Sequence, residues 1–337
     1  MAVEAGLQLD YLPLAAYASA QWQDVLGVAI FGSEVTAPPS ATLPPADVPV
    51  APVHTPVLQA AGELCEIWRT GERLESGQRS HVRYRRGEDI LFGCICLPES
   101  EGLHAATRAA YGEIFAALNG LGYPYLLRVW NYLPQINVET QGSERYWQFN
   151  SGRRNALIAS GRDVTGPVPA ACALGSVSGT PLMIYFLASR TAPAAVENPR
   201  QLSAYEYPPQ YGPKPVFSRA SMLGERAGTV LFISGTASIV GHRTMHVGDV
   251  AAQTRETLVN IEALLQEANR VSGRARFGLE TLDYKVYVRN RAELPVVQSQ
   301  LQAALGARAR IIYLQADICR PDLLVEIEAT GRERTCD

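Results

Sequence analysis

The fold is decided by residues 228–331, which contain GTVLFISGTASIV (228–240), DVAAQTRETLVNIEALLQEANRVSG (249–273), LDYKVYVRN (282–290), ELPVVQSQLQAALGA (293–307), ARIIYLQADI (309–318) and LLVEIEATG (323–331). The second and fourth segments carry apolar residues at helical spacing, and Gly273 is expected to end the longer helix. The other four are apolar and rich in β-branched residues, which is typical of strands. These residues therefore predict an α+β unit in which two helices back one sheet.

The same order of elements occurs earlier in the chain. The predicted strands are SHVRYRRG (80–87), ILFGCICL (90–97), YLLRVWNYLP (125–134), ACALGSVS (171–178) and PLMIYFLAS (181–189), and the predicted helices lie at 103–122 and within 143–161. The first of these helices is expected to close at Gly120. Two units of order ββαβαββ indicate an internal duplication.

The remaining segments differ in composition. Residues 36–56 hold seven prolines and one charged residue, which predicts an extended linker. The apolar residues before this linker predict an N-terminal appendage packed on the body. The Tyr- and Pro-rich stretch 198–220 predicts either a connector or a loop that lines a site. The expected divisions are an appendage and linker over 1–60, two halves at 61–195 and 225–332, and a connector over 196–224.

Charge and composition exclude several classes of partner. The 337 residues include 30 Lys+Arg and 33 Asp+Glu, a net charge of −3, so neither nucleic acid nor an anionic membrane surface is expected to bind. The N-terminus lacks the basic region of a secretory signal, and no apolar run is long enough to span a bilayer. A cytoplasmic protein is expected, with its six scattered cysteines as free thiols.

Two pairs of residues in the sequence are potential metal ligands. Cys94 and Cys96 lie within an apolar strand pattern with no second cysteine pair, which favours packing over metal binding. His242 and His246 have helical spacing, but glycines flank them and no third ligand is suitably placed. Because phosphate-binding glycine motifs are also missing, neither a metal nor a nucleotide cofactor is expected.

Glu326 and Cys319 are the candidate reactive side chains. Glu326 shares one strand face with Glu328, and this alternation fits either two solvent-facing carboxylates or an acid at the mouth of a cleft, with its pKa raised by apolar surroundings. Cys319 precedes Arg320, so its thiol is either apolar filling or somewhat activated by the neighbouring cation. Arg153 and Arg219 lie in aromatic-rich segments, which suits a pocket for a ring-shaped carboxylate.

Several segments resemble known families. SGTASIVGH, HVGDVAAQTRETLVNIEALL and DICRPDLLVEIEA resemble the RidA/YjgF superfamily, whose subunits usually form trimers with sites at their interfaces. RVWNYLPQIN, ERYWQFNSGR, SAYEYPPQYGP and FSRA resemble, more narrowly, the chorismatases, which build a RidA-like assembly from two halves of one chain. That resemblance implies cleavage of chorismate, without cofactor or metal, to pyruvate and either a dihydroxycyclohexadiene acid or a hydroxybenzoate.

The resemblance also assigns residues. It implies that Glu326 is the acid, that Arg153 and Arg219 bind carboxylates, and that Tyr211 lines the pocket. Gly235 and Cys319 resemble the hydroxybenzoate-forming branch, in which glycine is expected to leave room for the ring and the thiol to assist proton movement.

The expected enzyme is therefore a cofactor-free chorismatase that forms 3-hydroxybenzoate, with some 4-hydroxybenzoate as a further product. Hydrolysis to the dihydrodiol, a RidA-like imine or enamine deaminase, and a non-catalytic ligand-binding module are the alternatives. Chorismate is the expected partner. The chain is expected to be a monomer with pseudo-oligomeric halves or a weak homo-oligomer.

Overall fold

The computed structural model describes residues 6–16, 22–33, 44–59, 62–225, 228–273 and 276–334. The strands within them are β1 Gln8–Pro13, β2 Val25–Gly32, β3 Val50–His54, β4 Leu64–Arg69, β5 Glu75–Arg79, β6 Val82–Arg86, β7 Ile90–Leu97, β8 Tyr125–Pro134, β9 Glu139–Thr140, β10 Ser143–Glu144, β11 Ala170–Ser176, β12 Leu182–Ser189, β13 Ala194–Val196, β14 Ala220–Glu225, β15 Gly228–Ala237, β16 Ile239–Val240, β17 Arg243–Thr244, β18 Leu282–Val288, β19 Arg310–Gln315 and β20 Val325–Arg334. The α-helices are α1 Leu103–Leu121, α2 Arg145–Ala159, α3 Val250–Ser272 and α4 Leu294–Leu305.

Two six-stranded sheets have the same internal order. The first is β11-β8-β12-β7-β6-β5, and the second is β19-β18-β20-β15-β14-β13. In each sheet the edge pair, β11 with β8 or β19 with β18, is parallel and the other pairs are antiparallel. The predicted duplication and the α+β class are therefore confirmed, with α1 and α2 serving the first sheet and α3 and α4 the second.

Helix boundaries follow their capping residues. Asp249 caps α3 by accepting a hydrogen bond from the Ala252 N–H at 2.9 Å, and Gly273 ends that helix in the left-handed conformation. The prediction that Gly120 closes α1 is wrong by two residues, since Gly122, with φ of 76°, is the left-handed cap. Glycine is favoured there because a Cβ destabilises positive φ.

The N-terminal residues form a third sheet of order β1-β4-β2-β3. Its strands match β7, β12, β8 and β11 in chain order, pairing and direction, since β2 and β3 are parallel and β4 is antiparallel to both β1 and β2. No α-helix occurs in the described part of this segment. The expected boundary at residue 60 thus falls inside a sheet, because β4 lies beyond it.

Proline limits where the third sheet can extend. Residues 36–43 of the expected linker lie outside the described residues, while Val50–His54 forms the edge strand β3. An edge position tolerates Pro52 because the missing N–H there breaks no central ladder.

The connector between the two duplicated units is shorter than the expected 196–224, because β13 and β14 are strands of the second six-stranded sheet.

The three sheets face one another around a shared interior. Trp68 of the third sheet contacts Trp130 of the first and Phe232 of the second, with ring centroids 5.7 and 6.0 Å apart. The helices cover the opposite faces of the two larger sheets. No helix among the described residues is long and apolar enough to cross a membrane.

Candidate active site

The candidate site is a cavity of about 360 Å³ between the two duplicated units. The start of α2 forms one side, the segment 201–219 forms another, and β15, β20 and the loop before β20 form the rest. Five of the six residues expected at a site line it: Tyr211, Arg219, Gly235, Cys319 and Glu326. Their roles in a reaction remain a proposal.

Glu326 and Glu328 do not face solvent. Each is 4% exposed, because their shared strand face points into the interior between the sheets while Val325 and Ile327 pack toward the helices. The solvent-facing interpretation is therefore wrong. That interpretation requires one face of the sheet to meet water, but here the helices cover one face and the other sheets cover the other.

Glu326 is an isolated acid. Its side chain makes no hydrogen bond or ion pair within the described residues, and it borders the cavity. Burial, helped by the negative charge of Glu328, raises the pKa of Glu326 to about 8, although Arg128 and Arg289 oppose the shift. The carboxyl group is therefore mostly protonated at neutral pH and can donate a proton.

A β-bulge brings Gly235 against this acid. Ser234 and Gly235 together oppose one residue of β20, between the Ile233–Ala329 and Thr236–Ile327 pairs. A Cβ at residue 235 would contact Glu326 Oε1 and lie 2.7 Å from the Glu326 carboxyl carbon. In this structure the missing side chain of Gly235 thus leaves room for the Glu326 carboxyl group, whereas the sequence predicted that it would leave room for the substrate ring.

Cys319 lies on a loop that Arg289 holds in place. Arg289 donates hydrogen bonds to the carbonyl oxygens of Ile318, Arg320 and Leu323 at 2.8–3.1 Å. Burial raises the pKa of the Cys319 thiol to about 12, and nearby Glu326 adds to the shift despite Arg320. The expectation of an activated thiol is therefore wrong, because burial outweighs the neighbouring cation, and Cys319 remains a neutral thiol.

Two arginines border the cavity. Arg219 donates to the Leu202 carbonyl and the Tyr207 hydroxyl at 2.7 and 2.8 Å, and its buried Nε has no partner among the described residues. Arg320 stacks on Tyr211, 4.4 Å from the ring centroid, and its buried Nη2 is likewise unpartnered in the described part of the chain. Unpaired buried donors destabilise a protein, so an anionic ligand suits this cavity.

Arg153 does not line the cavity. It is buried on α2, with its guanidinium 5.0 Å from the Phe149 ring and 3.3 Å from Asn150 Oδ1. Its charge acts on Tyr146, which does line the cavity. The Arg153 Nε is a further buried donor without a partner in the described ranges.

Sequence reasoning missed several lining residues. Arg320 was considered only for its effect on Cys319, and Glu144, Gln201 and Asp322 were not considered at all. Glu144 precedes α2, and burial raises the pKa of its carboxyl group. Three of these residues, Glu144, Arg320 and Asp322, lie in the ERYW and CRPD motifs, but only the fold shows that they meet.

The potential metal ligands do not assemble. Cys94 is buried and Cys96 exposed on the same strand, while His242 contacts the Tyr211 ring and His246 lies 3.3 Å from a Glu256 oxygen. Within the described ranges no three His, Cys, Asp or Glu side chains are grouped to hold a metal ion.

Comparison with known proteins identifies the family. Residues 66–188 match the family model described as "Chorismatase FkbO/Hyg5-like, N-terminal". The chain is 41% identical over 289 residues to a Streptomyces rapamycinicus protein named chorismatase, with 83% of this chain and 85% of that one covered. It therefore belongs to the chorismatase family, and it is an enzyme of this kind.

Two further relatives refine the comparison. A Streptomyces hygroscopicus protein named 3-hydroxybenzoate synthase is 39% identical over 282 residues, covering 81% of this chain and 82% of the relative. A crystal structure of a chorismatase superposes with a TM-score of 0.89 at 35% identity, covering 98% of this chain and 99% of the other. The similarity thus includes the N-terminal sheet as well as the duplicated units.

Proposed function

We propose that the enzyme cleaves the enolpyruvyl ether of chorismate to pyruvate and 3-hydroxybenzoate without a cofactor or metal. One observation carries this proposal: the buried Glu326 carboxyl group has no partner within the described residues and borders the same cavity as Arg219 and Arg320. A dicarboxylate with an acid-labile enol ether needs both cations and a proton donor. The cavity provides both.

Glu326 is proposed as the general acid. It would protonate the enolpyruvyl methylene and leave an oxocarbenium-like centre on the side chain. Its pKa of about 8 keeps the proton available at neutral pH. A positioned general acid contributes about 10²- to 10⁴-fold to the rate.

The arginines are proposed to hold the two carboxylates. Arg219 and Arg320 border the cavity and are the two proposed partners, whereas Arg153 does not line the cavity and is proposed to act on it through Tyr146. Guanidinium groups suit this role because their N–H groups match both oxygens of a carboxylate. The Tyr211 ring, stacked on Arg320, would help to orient that arginine.

The resemblance of Cys319 and Gly235 to the hydroxybenzoate-forming branch supports this product. In this proposal the oxygen of the ring hydroxyl displaces the protonated side chain, which leaves as pyruvate, and the hydroxyl proton restores Glu326. The epoxide then opens as the ring loses a proton and the epoxide oxygen takes one up to give the phenol, so no water is consumed. Addition of water in place of the ring hydroxyl would give the dihydrodiol, which is the alternative outcome.

Incubation with chorismate tests the proposal. Pyruvate is measured with lactate dehydrogenase, and chromatography separates 3-hydroxybenzoate, 4-hydroxybenzoate and the dihydrodiol. Glu326→Gln should release no pyruvate, whereas the matched surface variant Glu101→Gln should behave as wild type because Glu101 is exposed. Ammonia release from small imines without chorismate turnover would instead indicate the deaminase.

The assembly and location are also proposals. The chain supplies three sheets around one interior, so we propose that it works as a monomer without the partner subunits of a trimer. Its free cysteines among the described residues are compatible with a cytoplasmic location.

A further inference from the structure

A buried ion network joins the three sheets behind Glu326. Lys285 Nζ lies 2.5 Å from Glu66 Oε2 and 2.7 Å from Glu328 Oε1, and Arg128 pairs with the other Glu328 oxygen. Glu66 belongs to β4, Arg128 to β8, and Lys285 and Glu328 to the second six-stranded sheet. Each of these four residues is at least nine-tenths buried.

Neutral neighbours complete the hydrogen bonds of this network. Trp130 Nε1 donates to Glu328 Oε1 at 2.8 Å, and the Tyr185 hydroxyl donates to Glu66 Oε1 at 3.1 Å. Tyr287 approaches the same Glu328 oxygen at 3.4 Å. These contacts fix the Glu328 carboxylate on the strand face that it shares with Glu326.

The charges of the network already balance. Arg128 and Lys285 supply two positive charges, while Glu66 and Glu328 supply two negative charges. Glu328 is two residues, roughly 7 Å, along an extended strand from Glu326. Ionisation of Glu326 would therefore add a third buried negative charge next to the Glu328 carboxylate, which is already paired with Lys285 and Arg128. Repulsion between buried like charges opposes this ionisation.

We propose that Glu328 is a positioning residue that keeps Glu326 in its proton-donating form, and that Lys285 and Arg128 maintain this state by holding Glu328 ionised. The inference rests on the proposed function, since it assigns the regulation of the same acid. Burial works to raise the pKa of Glu328, but the charges of Lys285 and Arg128 hold it below its usual value. The two glutamates on one face thus have opposite protonation states.

Other groups that face Glu326 must be considered in any pH experiment. From the packed elements these are Arg128 of β8, Cys172 of β11, Tyr287 of β18, Arg289 after β18, and Cys319 of the loop before β20. Burial raises the pKa values of Cys172, Tyr287 and Cys319 well above neutrality. Glu326 is therefore the group in this set that is expected to titrate near pH 8.

The test is the pH profile of kcat/KM for chorismate in Glu328→Gln. Loss of one adjacent negative charge should shift the alkaline limb of the profile by about one unit toward lower pH, which reduces activity at pH 8 about fivefold relative to wild type at the same pH. Glu328→Asp keeps the negative charge and should therefore show the same alkaline limb as wild type, even if the variant is less stable. Glu66→Gln removes a matched carboxylate on the far side of Lys285 and should leave the limb unchanged.

Three outcomes would overturn the inference. These are a folded Glu328→Gln with an unmoved limb, a Glu328→Asp that shifts like Glu328→Gln, or a Glu66→Gln that shifts equally. If Glu328→Gln does not fold, Lys285→Met carries the test, since Arg128 also acts directly on the pKa of Glu326 and Lys285 is the cation that holds Glu328 ionised. Its removal should move the limb to lower pH, and an unmoved or raised limb would contradict the proposal.

A direct titration separates this inference from the proposed function. The carbonyl band of protonated Glu326, identified by its loss in Glu326→Gln, can be followed by infrared difference spectroscopy without substrate. Its midpoint should fall in Glu328→Gln. If wild type does not cleave chorismate but this midpoint still falls, the proposed reaction is wrong and the role of Glu328 stands.

Discussion

Glu326→Gln should stabilise the protein at alkaline pH while abolishing turnover. The pKa of this carboxyl group is about 8 in the folded protein against a reference of 4.5. Between those values the folded state binds the proton that the unfolded state has released, so wild type loses stability as pH rises. Well below pH 4.5 both states hold the proton, and at pH 5 the unfolded state has already released most of it, but the loss of stability there is still only about 1 kcal/mol.

The size of the effect follows from the same two values. One pKa unit corresponds to about 1.4 kcal/mol, so by pH 8 ionisation should remove on the order of 4 kcal/mol from the free energy of unfolding of wild type. Glutamine keeps the shape of the side chain but does not titrate. The variant should therefore gain stability relative to wild type by about that amount between pH 5 and pH 8.

Urea unfolding followed by tryptophan fluorescence measures this difference. Wild type, Glu326→Gln and the surface control Glu101→Gln are compared at pH 5 and pH 8, and pyruvate release is assayed on the same samples. The control should follow wild type at both values. A stability difference between Glu326→Gln and wild type that is equal at pH 5 and pH 8 would refute a raised pKa, and normal pyruvate release would refute the general acid.

Three further predictions concern the ligand, the metal and the product. Arg219→Ala and Arg320→Ala should each lower kcat/KM about 10- to 100-fold, since charged hydrogen bonds contribute roughly 1.5–3 kcal/mol, and unchanged chorismate affinity in both would show that these arginines do not bind the substrate. Turnover should survive exhaustive dialysis against EDTA; stoichiometric metal in the purified protein together with EDTA-sensitive activity would contradict this. Gly235→Ala combined with Cys319→Ala should slow pyruvate release, because the new Cβ displaces the Glu326 carboxyl group, and shift products toward the dihydrodiol on chromatography; an unchanged rate and yield of 3-hydroxybenzoate would show that other residues set the branch.

Local patterns predicted the four α-helices and the longer strands of both duplicated units, because these are long enough to show their period, whereas β5, β13 and β14 were not predicted. The third sheet was not predicted, because one of its strands contains Pro52 and lies within the Pro-rich segment, and its strands pair with residues distant in sequence. Glu326 was identifiable from its motif, but its burial was not, since alternation along β20 does not show that a second sheet covers the polar face. Arg320 was not predicted to line the site, because only the fold brings it beside Tyr211.

The three-sheet interior explains why two glutamates on one strand can differ in charge. In an isolated two-layer unit, the face that carries Glu326 and Glu328 would meet water, and both carboxylates would ionise. The first sheet contributes Arg128 and Trp130, and the N-terminal sheet contributes Glu66 to complete the pairing of Lys285. Glu328 thereby becomes a fixed charge, while Glu326 lies at the end of the network with no cation of its own among the described residues. The helix-free N-terminal sheet thus supplies the second carboxylate that pairs with Lys285, although in the described residues it contributes no side chain to the cavity.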